Sequence, residues 1–222
     1  MFDFSSWRVR TRLTVGFGVV CVLLVVSVLM GLMAMGRMGA DLKAVVADHF
    51  PRIVAAANLS TQIDVIAIAL RNMMLNADAA DRERQTQVIA QSRQEVVRLF
   101  DTLDKTLTEP KDRALLQKVK EQRALYLAGQ EELLGFIRSD QTDQSREYLA
   151  SKLRPVLASY KASIGALVES EKNAIVTAGT DARDTALNAR NTLIGLGVAA
   201  LLLAVALGWL TTRSLVRELG GE

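Results

Sequence analysis

The sequence predicts an all-α protein: two transmembrane helices continuous with an antiparallel extracytoplasmic four-helix bundle. Three observations predict it. Two stretches near the ends, Leu13 to Gly36 (24 residues) and Asn191 to Thr212 (22 residues), carry no charged side chain. A membrane-crossing helix needs roughly 20 mainly apolar residues to pass a hydrocarbon layer ~30 Å thick. Between them, apolar residues recur at steps of three and four, the seam of helices packed in a bundle. Sustained two-residue alternation, the signature of half-buried strands, is nearly absent.

Residues 1–12 read as a cytoplasmic stub, 13–36 as the first span, 37–190 as the bundle, 191–212 as the second span and 213–222 as a basic tail. The first run is longer than the ~7–15-residue core of a cleaved signal peptide, and helical character continues past it. It is therefore read as retained. A core helix of a soluble protein rarely goes so long without a charge, which excludes that reading for both runs. Arg8, Arg10 and Arg12 precede the first run, and Arg213 and Arg217 follow the second. Positive flanks mark the cytoplasmic side, and Trp7 and Trp209 on the same flanks suit the interface. Both termini are thus expected inside, and the bundle outside.

The bundle segment holds 22 basic and 21 acidic residues. So balanced a charge gives no electrostatic footprint for nucleic acid. Cys21, the single cysteine, lies in the first span and leaves the exported part to be held by packing alone.

The first bundle helix carries Ala56, Leu59, Ile63, Ile66, Leu70 and Met73, with Pro51 kinking or restarting it. After NADAADRER comes a second seam, Ile89, Ser92, Val96, Leu99 and Leu103. At TLTEPKD, Pro110 suits the first turn of a third helix and Thr108 is read as its cap. That helix carries Leu115, Val119, Tyr126, Leu133 and Ile137. RSDQTDQS, with Asp140 or Thr142 as the cap, opens a fourth: Leu149, Leu153, Val156, Tyr160, Ile164 and Leu167. No convincing breaker separates the outer helices from the spans, so they are expected to run on continuously. In the second span Ala200, Ala204 and Gly208, and in the first Ser27 and Gly31, are small residues four apart that permit close helix approach.

Nothing here assembles into an enzyme. His49 is the only histidine, and one histidine with one cysteine makes neither a zinc site nor a Cys–His pair. No cofactor is expected. A binding site is the softer expectation. Arg71 and Asn72 on the first helix, Arg123 and Tyr126 on the third, and Arg154 and Tyr160 on the fourth interrupt apolar faces. Arg123 and Tyr126, three apart, share a face. A guanidinium fork matches a carboxylate and a phenol adds a hydroxyl and a stacking surface, a pairing suited to a small organic anion. The competing reading has the arginines snorkelling at bundle edges and the tyrosines filling core gaps.

The layout resembles the sensory half of a bacterial methyl-accepting chemotaxis receptor. WRVRTRLTVGFGVV is similar to that family's approach to its first span, and ALRNMML at 69–75 to the Arg-Asn region of its first bundle helix. TTRSLVRELGGE resembles the start of a HAMP linker. The resemblance implies an inner-membrane homodimer whose periplasmic sensor domain binds a small anionic ligand, an organic, amino or aromatic acid. It further implies coupling, through a HAMP linker and a cytoplasmic coiled coil, to a chemotaxis histidine kinase and its coupling protein. The sequence given contains neither the rest of that linker nor those regions, and is expected to be an excerpt or a truncated form. The same module ahead of a histidine kinase or a cyclic-dinucleotide enzyme, or a purely structural bundle, are the alternatives.

Overall fold

The computed structural model describes residues 9–218, all but a few of them helical. Trp7 and Arg8 of the stub and the closing LGGE lie outside the described residues. The elements are α1 (Val9–Ala44), a π-helical segment π1 (Val45–His49), α2 (Phe50–Leu75), α3 (Ala79–Thr106), α4 (Pro110–Arg138), α5 (Thr142–Tyr148), a second π segment π2 (Leu149–Leu153) and α6 (Arg154–Glu218). The chain divides into two compact units, Lys43–Thr177 and the terminal stretches Met1–Leu42 with Ala178–Glu222.

The unit Lys43–Thr177 is the four-helix bundle. Its core contains all the residues expected of the α2 and α3 seams; Leu59 and Leu103 are fully inaccessible. On α4, Val119, Tyr126, Leu133 and Ile137 are buried, while the expected Leu115 only flanks the core and Leu116 is inside. Leu153, Tyr160, Ile164 and Leu167 close it from the fourth helix, with Leu149 and Val156 packed at its edge. Gly129 leaves room for the Leu153 side chain of π2: a Cβ there would stand 2.7 Å from Leu153 Cδ1.

The two π segments have one cause. Pro51 and Pro155 are each the second residue of the helix that follows. A proline inside a helix has no N–H to donate and its ring collides with the carbonyl four residues back. An extra residue in the preceding turn relieves both, and π-bulges of this kind mark proline sites and functional ones. In each case the residue just before the proline bonds five residues back, Phe50 N–H to the Val45 carbonyl and Arg154 N–H to the Leu149 carbonyl. Pro51 thus restarts the helix.

The caps differ from expectation. Glu109, not Thr108, is the N-cap of α4, because Pro110 takes the first helical position and holds its predecessor extended (φ −69°, ψ 134°). Gln141 precedes α5, and neither Asp140 nor Thr142 caps it. Asp140 instead adopts φ 51°, which Asp tolerates better than most residues, and accepts from Arg82 Nη1 at 2.9 Å. On α3, Asp78 is a true cap: its carboxylate accepts from the Asp81 N–H at 3.1 Å.

The terminal unit is of another kind. Two helical runs are long and apolar enough to cross a membrane, and the most apolar windows of the two are 6% and 0% buried. Core helices of a soluble protein would be covered. Its close helix approach is at Gly16, where a Cβ would stand 2.8 Å from Leu207 Cδ1, whereas Gly31 and Gly208 of the small-residue series face open space. Ser27 returns its hydroxyl to the Leu23 carbonyl at 2.8 Å, removing a polar group from an apolar face.

Candidate ligand site in the bundle

Tyr126 on α4 and Tyr160 on α6 meet at the middle of the bundle, ring centroids 5.9 Å apart and planes 49° apart. Both are essentially inaccessible to solvent, and neither hydroxyl has a hydrogen-bond partner. Burial pushes the Tyr126 phenol up to about 12, with the Arg71 and Arg93 charges pulling the other way. The Tyr160 phenol is raised further by the same cause, against the field of Arg123. The Gln130 amide is close enough to act on Tyr126, yet the two make no hydrogen bond of good geometry. Two buried phenols therefore sit without hydrogen-bond partners, an expensive arrangement for a bundle that only needs to be packed.

Two small cavities flank Tyr126. One is lined by Arg71, Arg154 and Tyr126 among leucines, with about 10 Å³ of room for water centres. The other is lined by Arg93, Arg123, Tyr126, Gln130 and Tyr160, with about 20 Å³. Each holds about one water. Sites for organic molecules run to ~300 Å³ and above, so this closed form takes such a ligand only if the helices around Tyr126 part.

The fold thus brings together five of the six expected residues. Arg71 from α2 and Arg154 from α6 converge on one cavity, both exposed at its rim. Arg123, half-buried, lies over the Phe100 ring at 5.0 Å and lines the other. Asn72 is apart from both; its amide reaches Gln85 Oε1 at 3.4 Å. Sequence reasoning passed over Arg93 and Gln130. Arg93 donates through Nε and Nη2 to the buried Gln130 Oε1 (3.2 and 2.7 Å) and from Nη2 to Glu131 at 2.8 Å. A glutamine four residues after Tyr126, on the same face of α4, was the available signal.

A second polar cluster lies elsewhere in the bundle. Glu171 on α6 is 1% exposed; His49 Nδ1 is 2.7 Å from its Oε2, and Arg52 Nη1 is 3.8 Å from its Oε1. Nearby, Ser170 donates to the buried Asp112 at 2.7 Å. Among the described residues no group of three or more His, Cys, Asp or Glu could hold a metal.

The chain belongs to the family of four-helix-bundle sensory modules for signal transduction, which matches residues 6–186. Its role is non-catalytic. No curated protein matches the chain.

Proposed function

We propose that the chain is the sensory region of a membrane chemoreceptor, binding a small carboxylate-bearing ligand outside the cytoplasm and relaying the event through its last helix. One observation carries the ligand reading: Arg71 and Arg154, from different helices, line one cavity with the unpartnered Tyr126 phenol. Two guanidinium forks and a free hydroxyl match a carboxylate and a neighbouring polar group. Arg123 and Tyr160, across Tyr126, receive the rest of an organic, amino or aromatic acid once α4 and α6 separate. Asn72 stands outside this arrangement.

Topology follows from the flanks. In the terminal unit the Arg213 guanidinium lies 5.1 Å over the Trp209 ring, the pairing of charge and indole that settles at a lipid headgroup layer. Both termini then face the cytoplasm of a bacterial inner membrane and the bundle the periplasm.

A homodimer is supported by α2. Val54, Thr61, Ile68 and Leu75 recur every seventh residue and are exposed on α2. A seam of sevens is what a second helix covers by coiled-coil packing. Arg71 stands beside it, so a ligand at the Arg71–Arg154 rim bears on the dimer contact as well as on the interior. The output expected is a chemotaxis kinase and its coupling protein, reached through a HAMP linker.

The full chain in lipid nanodiscs tests the binding reading. Thermal denaturation against a panel of organic and amino acids should show an upward shift with particular acids, lost in Arg154→Ala and in Arg123→Ala. A panel that shifts nothing removes direct acid sensing.

A further inference from the structure

We propose that the buried His49–Glu171–Arg52 cluster is a second input site of this module, and that its ligand is the proton. The site lies in the turn where π1 hands over to α2, and it shares no residue with the cavities around Tyr126.

A carboxylate as deeply buried as Glu171 must be neutralised by a cation or by a proton. Two groups compete for the first role. Arg52 is permanently charged and 8% exposed, but its Nη1 is 3.8 Å from Oε1; neither Oε1 nor Arg52 Nε has a hydrogen-bond partner. His49 is closer, 2.7 Å from Oε2, and a fifth exposed, so protons reach it. Imidazole is the side chain that ordinarily changes charge between about pH 5 and 8. While neutral, it donates Nδ1–H to Oε2 and Arg52 alone balances the carboxylate. Once protonated, it is the nearer cation, with an attraction to the carboxylate about 1.4-fold that of Arg52 at equal dielectric. Glu171 then changes counter-ion, and Arg52 becomes a surplus buried charge driven outward.

The exchange has a mechanical lever. His49 is the last residue of π1 and Arg52 lies past Pro51 in the first turn of α2. The two cations competing for Glu171 thus stand on opposite sides of the backbone irregularity. Single-turn π segments inside α-helices are found frequently at functional sites. Proton binding therefore tightens the hold of the π1 turn on α6 through His49 and loosens that of α2 on α6 through Arg52.

Other charged groups at this level are occupied or solvated. Asp112 of α4 is bound by the Ser170 hydroxyl, and on α3 Asp104 pairs with Lys120 of α4. Lys105 pairs with Asp101 on its own helix, and Asp48, Glu169 and Lys172 are exposed.

The chain has one histidine, so a 13C-labelled sample of the full chain in nanodiscs gives a single imidazole signal. That signal should change with pH without any added acid ligand. The backbone amides of Arg52 and Glu171, and hydrogen exchange across Val45–His49, should move with the same midpoint. In Glu171→Gln the imidazole midpoint should shift by at least a factor of three in proton affinity. In His49→Gln at least half of the pH-dependent change in exchange should be lost. A histidine that titrates while Arg52, Glu171 and π1 stay unchanged overturns the proposal, as does His49→Gln with the wild-type pH response. The wild-type titration decides the matter even if both variants fail to fold. Because no acid is present, its outcome is independent of the ligand reading.

Discussion

Leu103 in the bundle and Leu201 in the terminal unit are the same side chain in opposite places, 0% and 65% exposed. The difference lies in their neighbours along the chain. Around Leu103, most positions that the three-and-four seam leaves open are polar, so the helix has a wet face and a dry one. Around Leu201, and from Leu13 to Gly36, there is no wet face. A helix apolar all round needs an apolar surrounding on every side, and these helices are bare in the protein itself. One unit supplies its own interior. The other leaves its apolar faces uncovered.

Truncation sharpens this contrast most. Leu103→Ala should destabilise the bundle by about 2–5 kcal/mol, the usual cost of a large-to-alanine change in a packed core. Leu201→Ala should leave the bundle's thermal midpoint within error. Melting of both variants in nanodiscs, followed by circular dichroism, checks it. A comparable loss in the two would mean that the units do not hold their stability separately.

The tyrosine layer supplies the next effect. Tyr126 is raised from 10.0 to about 12, and Tyr160 in the same direction, both by burial. Between those values the unfolded chain has lost its phenolic protons while the bundle retains them. Stability is therefore whole below about pH 10 and falls as the pH climbs toward 12. The loss is on the order of 2–3 kcal/mol for Tyr126 alone. Tyr126→Phe should remove about half of the combined alkaline fall, with Tyr160 supplying the rest. At pH 7 the same variant should be neutral or slightly more stable, since it deletes a hydroxyl without a partner. Urea midpoints at pH 7 and pH 11 measure both.

Gly129→Ala gives a smaller change of mixed origin. Alanine favours the helix by up to ~1 kcal/mol, but its methyl would meet Leu153 at 2.7 Å in a packed interior. Overpacking ordinarily costs ~1–3 kcal/mol, so a net loss of about 1 kcal/mol is expected. The corresponding Gly31→Ala in the terminal unit meets nothing within 4 Å and should not shift the bundle's denaturation midpoint.

Much of this was legible in the sequence because a helical seam is a one-dimensional signal. The α2, α3 and fourth-helix seams were readable from spacing alone, since burial follows the 3.6-residue period. The tyrosines were readable as interruptions of it. Arg93 and the His49–Glu171–Arg52 cluster were not, because each depends on contacts across long sequence separations; His49 and Glu171 lie 122 residues apart. Spacing on one helix cannot say which face of another it meets. The caps failed for a local reason instead. Pro110 fixed Glu109 as the boundary, overriding the better capping chemistry of Thr108.

The smallest expected effect on stability tests whether the bundle, too, has a face left for something else. Ile68 is 54% exposed on α2, in register with Val54, Thr61 and Leu75. A glutamate there removes little that the single chain buries, so Ile68→Glu should change bundle stability by no more than about 0.5 kcal/mol. If the seam of sevens is covered by a second copy, however, a charge placed in it on both partners repels across the contact and is stripped of water. The variant should then run as a smaller particle by analytical ultracentrifugation in detergent, while its melting in the dilute monomer matches wild type. A variant that remains the size of wild type, with wild type dimeric, would move the interface off α2. The exposed apolar residues of α2 would then be left without a covering partner.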